Sequence, residues 1–239
     1  MKIAIGFKIK RGPWGGGNQF VKLLSNKLIE NGHSVYYDLS QRDLDIILLT
    51  DPRKNSKFVS FGSGEIIKYL LTKNSNAIVI HRINECDQRK KTFHMNFLLR
   101  FSNYCSDHNV YIASWLKDLN LSEKNKPKSI ILNGGDNKIF NIKNNKPWDN
   151  KGPLKIVTHH WGGNHMKGFD VYQKLDKLLK DKINRKKYRF TYIGNLPKNF
   201  YFSNTKYIKP LSGQKLAKEL SKHHVYLTAS INEPAGMHH

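Results

Sequence analysis

Short runs of β-branched and aliphatic residues alternate along the chain with longer amphipathic stretches, the pattern of parallel sheets whose strands are joined by crossover helices. Residues 1–6 read as the first strand and lead into a glycine-rich turn. Phe20, Leu23, Leu24 and Leu28 then recur at helical spacing, and Asn31-Gly32 supplies the stop. Residues 34–39, 45–50, 77–81, 110–114 and 129–132 read as further strands, with an apolar helical stripe through Phe93, Phe97 and Phe101. These elements make one Rossmann-like domain over 1–142. The stretch 141–153 is rich in Asn, Lys, Pro and Gly without periodicity, which places a linker at 143–153. Alternation restarts in 154–239: strands at 154–159 and 188–194 flank a helix through Phe169, Tyr172, Leu175 and Leu179, a short helix covers 214–221, and a strand covers 225–230. Glu233-Pro234-Ala235-Gly236 then opens a loop-to-helix turn, so the last strand lacks the helix that should cover it. The expected fold class is α/β, with two Rossmann-like domains, the second incomplete, and the chain reads as a fragment or a shortened form.

Composition adds a strong charge to this frame. The formal net charge is +23, and residues 121–239 hold 23 of the 41 basic side chains against 8 of the 18 acidic ones. Such an excess favours polyanions, anionic membrane surfaces or phosphorylated ligands without choosing among them. Much of it, including Lys174, Lys177 and Lys180, falls at helical spacing on a solvated face. Lys186-Lys187-Tyr188-Arg189-Phe190 interleaves basic and aromatic residues, but the alternation fits a strand entering a sheet better than a nucleic-acid platform. No apolar run approaches the roughly 18 residues of a spanning helix, and the first residues enter a strand directly, so a cytoplasmic protein is expected, with an anionic membrane surface as a peripheral partner. Cys86 and Cys105 lack the spacing of a redox pair or zinc knuckle and read as free thiols.

Three loops carry candidate chemistry. In Gly12-Pro13-Trp14-Gly15-Gly16-Gly17-Asn18, consecutive glycines before a helix allow backbone to approach a ligand and direct amides at an anion. Gly15 and Gly17 followed by Asp38 imitate a dinucleotide fingerprint, but Phe20 stands where the third glycine should be, so an NAD site is disfavoured. The run His81-Arg82-Ile83-Asn84-Glu85-Cys86-Asp87 ends a central strand, the edge where open α/β sheets bind ligands; the competing reading is a capping network with Asp87 as N-cap of a helix starting near Arg89. The third loop, from Thr158 to Asp170, sets Lys167 and Gly168 at the mouth of a helix, where side-chain charge and helix dipole act on one phosphate. His159, His160 and His165 invite a metal reading, but adjacent strand residues face opposite ways and no carboxylate stands at ligand spacing, so no metal site is expected.

These segments together resemble GT-B glycosyltransferases of family four, the group-1 glycosyl transferases. Gly16-Gly17 with Asn31-Gly32-His33-Ser34-Val35 resembles that family's first turn and helix end, and Asn133-Gly134-Gly135-Asp136 with Phe140 resembles its Asn-Gly-Val-Asp segment, with Gly in place of Val. Lys167-Gly168, Ile193-Gly194-Asn195 and Glu233-Pro234-Ala235-Gly236 resemble, in family order, the opening of the donor-domain helix, the next strand end and the donor motif. The resemblance implies transfer of a sugar from a nucleotide-diphosphate sugar, with retention at the anomeric carbon and no tightly bound cofactor, to a glycan, lipid or small-molecule acceptor. It implies catalytic roles for His81, near the reacting sugar, for Lys167, on the diphosphate, and for Glu233, on the sugar hydroxyls with the amides of Ala235, Gly236 and Met237. Gly15, Gly16, Gly17, Arg82, Asn84, Glu85, Gly162, Gly163, Gly168, Gly194 and Asn195 complete the expected donor and substrate contacts. The chain departs from the pattern twice. His160, Trp161 and Gly162 stand where the family places an arginine before the lysine, and the second glutamate of the donor motif would fall beyond His239. Weak donor binding is therefore expected, and the alternative is a non-catalytic basic module for anionic lipid, glycan or nucleic acid, of which nucleic acid is the least favoured.

Overall fold

The computed structural model describes residues 1–54, 57–143 and 145–233, which form two compact units. The first comprises residues 1–10 and 16–134 together with Glu233; the second comprises 11–15 and 135–232.

In the first unit the elements run β1 (Lys2–Ile5), α1 (Gly16–Glu30), β2 (Ser34–Tyr36), β3 (Ile46–Leu49), α2 (Ser63–Thr72), β4 (Ile78–Ile83), α3 (Asp87–Lys90), α4 (Met95–Tyr104), β5 (His108–Tyr111), α5 (Ser114–Lys117) and β6 (Lys128–Ile130). The six strands form one parallel sheet in the order β2-β1-β3-β4-β5-β6. Ile3, Ala4, Ile5, Ile47, Leu49, Val79 and Ile83 are buried, as expected of strands covered on both faces. Chain direction across the sheet reverses between β1 and β3, and the carboxyl ends of strands at such a reversal are where open α/β sheets bind ligands. The α2 helix lies in a stretch without an expected element. Its start is capped by the Glu65 carboxylate, which accepts from the Gly62 amide at 2.9 Å, and Ile66 and Tyr69 face the core.

One expectation is reversed here. The stripe through Phe93, Phe97 and Phe101 faces outward, and α4 buries Met95, Leu99, Ser102 and Asn103 instead. Polar partners decide the rotation. Asn103 accepts from His81 Nδ1 at 2.6 Å and donates to the Leu121 carbonyl at 2.5 Å, while Asp87 accepts from the Met95 and Asn96 amides at 2.8 and 3.0 Å. Asp87 is thus a capping residue, but for α4 rather than for a helix beginning near Arg89; α3 begins at Asp87 itself, after Cys86.

The second unit runs β7 (Leu154–His160), a short 3-10 turn (His165–Lys167), α6 (Phe169–Leu178), α7 (Lys182–Lys187), β8 (Tyr188–Gly194), β9 (Lys206–Ile208), α8 (Gly213–Leu220) and β10 (Val225–Tyr226). Its four strands are parallel in the order β10-β7-β8-β9, and direction reverses between β7 and β10. Phe169, Tyr172 and Leu179 pack with Phe190 and Tyr192 into an aromatic core, as the helical spacing predicts. The strand expected over 225–230 pairs regularly only at Val225 and Tyr226, although the Leu227 amide still reaches the Val157 carbonyl at 2.8 Å. Lys186 and Lys187 belong to α7, so the basic-aromatic run is split between a helix end and a strand. No described helix is long and apolar enough to cross a membrane. Cys86 and Cys105 are free thiols.

Candidate functional site

In the first unit the strand ends gather the charged residues. Asp51, two positions past β3, accepts a bidentate pair from Arg53 at 2.9 and 2.6 Å. At the end of β4 the Arg82 guanidinium donates to Asn133 at 2.7 Å and lies 3.8 Å from the centre of the Phe20 ring. Burial, with Arg89 nearby, pushes its pKa down to about 10, so it keeps its charge at neutral pH. Arg89 donates to the Asn84 carbonyl at 2.9 Å and stands 3.7 Å from Glu85 and 3.8 Å from Glu233. Glu85 and Glu233 are thus drawn to one cation, and four expected site residues, Arg82, Asn84, Glu85 and Glu233, belong to the same unit.

His81 is placed differently from a residue that meets a ligand. Its ring is wholly inside the layer between the sheet and α4. The Asn103 amide nitrogen is committed to Leu121, so its oxygen faces the ring and Nδ1–H donates to it, which leaves Nε2 as the acceptor. Nε2 has no hydrogen-bond partner among the described residues. Burial pushes the pKa down to about 4, against the Asn103 hydrogen bond and the Asp51 charge, so the ring is neutral at physiological pH.

The glycine-rich turn also has a different basis at each position. A Cβ on Gly15 would press on the Trp161 indole at 3.2 Å, so that glycine makes room for an aromatic neighbour within the second unit. Trp14 joins the same contact, with ring centres 5.6 Å apart. Gly16 and Gly17 are the first residues of α1. A Cβ on Gly17 would make only an ordinary 3.7 Å contact with Phe7, so no special backbone angle accounts for this glycine. The turn is held by Asn18, which accepts from the Lys10 amide at 2.7 Å and donates to its carbonyl at 3.0 Å.

In the second unit the loops after β7 and β10 meet at the reversal point. Gly168 has φ +78°, and a Cβ there would lie 2.3 Å from the Ala229 carbonyl oxygen. The Ile231 amide donates to the Met166 carbonyl at 2.8 Å. A Cβ on Gly163 would come within 2.7 Å of the Leu196 carbonyl oxygen, and on Gly194, at φ +143°, within 1.9 Å of that of His160. Asn195 donates to the Trp161 carbonyl at 2.5 Å. Three of the expected glycines and Asn195 thus fasten one loop to its neighbours. Gly162 lies beside Lys167, whose Cε a Cβ would meet at 3.9 Å. Lys167 is half-buried in the turn immediately before Gly168, the N-cap of α6. His159 and His160 face opposite ways, as the strand alternation predicts: His159 packs on Tyr226, and His160 is buried 2.7 Å from the Tyr172 hydroxyl. Among the described residues no three His, Cys, Asp or Glu side chains form a metal-sized group. Ala235, Gly236 and Met237 lie outside the described residues.

No family model matches the sequence, and no curated protein matches it. Solved structures do. Sucrose-phosphate synthase from Thermosynechococcus elongatus superposes with a TM-score of 0.61 at 12% identity, over 99% of this chain and 77% of that one. The pneumococcal O-GlcNAc transferase GtfA, solved in complex with UDP and GlcNAc, superposes with a TM-score of 0.53 at 12% identity, over 94% of this chain and 43% of that one. The fold is GT-B. In this GT-B chain the glycine-rich turn follows β1 and the loop carrying Lys167 and Gly168 follows β7, the strands beside which the order of each sheet reverses. Asp51, Arg53 and Arg89 escaped the sequence reading; the available signal was the cluster of charge in Asp51-Pro52-Arg53 directly after an apolar strand.

Proposed function

We propose that this chain is a glycosyltransferase that moves a sugar from a nucleotide-diphosphate sugar to an acceptor with retention at the anomeric carbon. The observation that carries the reading is the loop after β7: glycines that pack it backbone to backbone, with Lys167 and the N-terminus of α6 at its end, in a fold shared with two glycosyl-transferring proteins. Negative charge grows on the leaving diphosphate as the bond from the anomeric carbon breaks. A fixed lysine and helix-end amides stabilise that state more than the ground state. In a front-face reaction the acceptor oxygen bonds to the same face of the anomeric carbon, and its proton passes to the departing phosphate oxygen. Glu233 receives the sugar hydroxyls, with Arg89 holding its carboxylate in place. His81, being enclosed, positions the end of β4 and takes no part in the chemistry.

UDP, present in the pneumococcal complex, is the first ligand to test. Calorimetry should show UDP binding weakened by about 1.5–3 kcal/mol in Lys167→Ala, the worth of a hydrogen bond to a charged group. Lys174→Ala, on the exposed face of α6, should bind almost as wild type. Equal affinities in the two variants would remove Lys167 from the site, and an inverted anomer in the product would remove the retaining route.

A further inference from the structure

The outward face of α4 is where the molecule departs most from ordinary burial. Phe97, Phe101 and Tyr104 follow one another at helical spacings along α4, Phe93 stands in the bend just before the helix, and the four are, in chain order from Phe93, 97%, 71%, 50% and 73% exposed. At roughly 150–250 Å² per ring side chain they present on the order of 500 Å² of aromatic surface, more than scattered apolar residues account for. The helix is not free to roll and cover them. Asn103 ties its inner face to His81 and Leu121, and Asp87 holds its first turn. Residues 91–106 contain Lys91, His94 and Arg100 but no Asp or Glu; Lys91 and Arg100 are exposed, Lys91 two residues before Phe93 and Arg100 one turn along α4 from Phe97 and Tyr104, with its Nε donating to the Asn120 carbonyl at 3.3 Å.

We propose that this face docks on an anionic lipid surface, with the rings entering the interfacial region and the cations engaging lipid phosphates. Aromatic side chains settle at that depth, and apolar burial and attraction to anionic headgroups add. Charge decides between occupants. A second copy would bring the same cations against these, in a chain of net charge +23, whereas an anionic bilayer complements both parts of the face. The inference does not depend on the transferase reading, because vesicle binding is measured without substrate.

The test is flotation of the whole chain with phosphatidylcholine vesicles, with and without phosphatidylglycerol. Wild type should float with the anionic vesicles, and less so as salt is raised. The triple variant Phe93→Ser, Phe97→Ser, Phe101→Ser should lose about tenfold or more in binding while still unfolding cooperatively on heating, since the three rings together bury less surface than one fully buried phenylalanine. Lys91→Glu with Arg100→Glu should abolish the preference for phosphatidylglycerol, whereas Lys174→Glu with Lys177→Glu should leave most of it. Undiminished binding by the triple variant would overturn the proposal, because adhesion would then come from charge elsewhere. So would failure of wild type to float, or self-association of wild type that the serines abolish without any vesicle binding.

Discussion

The enclosed His81 ring makes a quantitative statement about pH. Its native pKa lies near 4 because burial disfavours the imidazolium, against 6.5 for an ordinary histidine. As pH falls through 6.5 the unfolded chain takes up a proton that the native ring refuses. Stability therefore declines with acidification until the native ring itself protonates near pH 4. At about 1.36 kcal/mol per unit, most of this shift is felt between about pH 7 and about pH 4.5, a loss of about 2–3 kcal/mol from this residue alone. Other groups push the same way on acidification: burial lowers the His223 pKa, and the carboxylates of Asp87 and Glu219 sit below their ordinary values because hydrogen bonds outweigh their burial. Urea denaturation should therefore compare wild type with His81→Gln at both pH values, so that these contributions cancel. The glutamine variant should be less stable at neutral pH, having lost a buried ring, and should lose about 2–3 kcal/mol less than wild type on acidification. An identical loss in both proteins would show that the ring titrates as it does in water. The enclosed position would then be wrong, and a direct role for His81 at the reacting sugar would be restored.

Two glycine substitutions separate packing from ligand approach. Gly168→Ala should destabilise the second unit by more than about 1 kcal/mol in thermal or urea unfolding, because it adds a Cβ at φ +78° facing the Ala229 carbonyl; an unchanged midpoint would refute the close approach. Gly17→Val should leave unfolding within about 1 kcal/mol of wild type, since its Cβ meets only Phe7 at an ordinary distance; any loss of substrate use at preserved stability would then report a ligand over the turn, and unchanged kinetics would mark the turn as a connector.

Hydrophobic periodicity was enough to locate all six described strands of the first sheet and three of the four in the second, most cleanly for β1 and β3, which are covered on both faces and so are apolar nearly throughout. The glycines after β7 were legible for a similar reason: φ +78° and carbonyl contacts closer than a Cβ allows leave few other choices. The short edge strand β9 and the helix α7 were not. Ile183 is 63% exposed, so α7 carries no buried stripe to read. The rotation of α4 was beyond the sequence altogether. Phe93, Phe97 and Phe101 form the more apolar stripe, and local periodicity turns that stripe inward. The tertiary structure turns it outward, because Asn103 meets His81 and Leu121 only when the opposite face is buried, and leaving those buried polar groups unpaired would cost about 1–3 kcal/mol each. The same contact encloses His81, so a residue whose strand-end position suggested chemistry became part of the core. Position along a strand is written in the sequence, but which neighbour covers that position is settled only when distant segments meet.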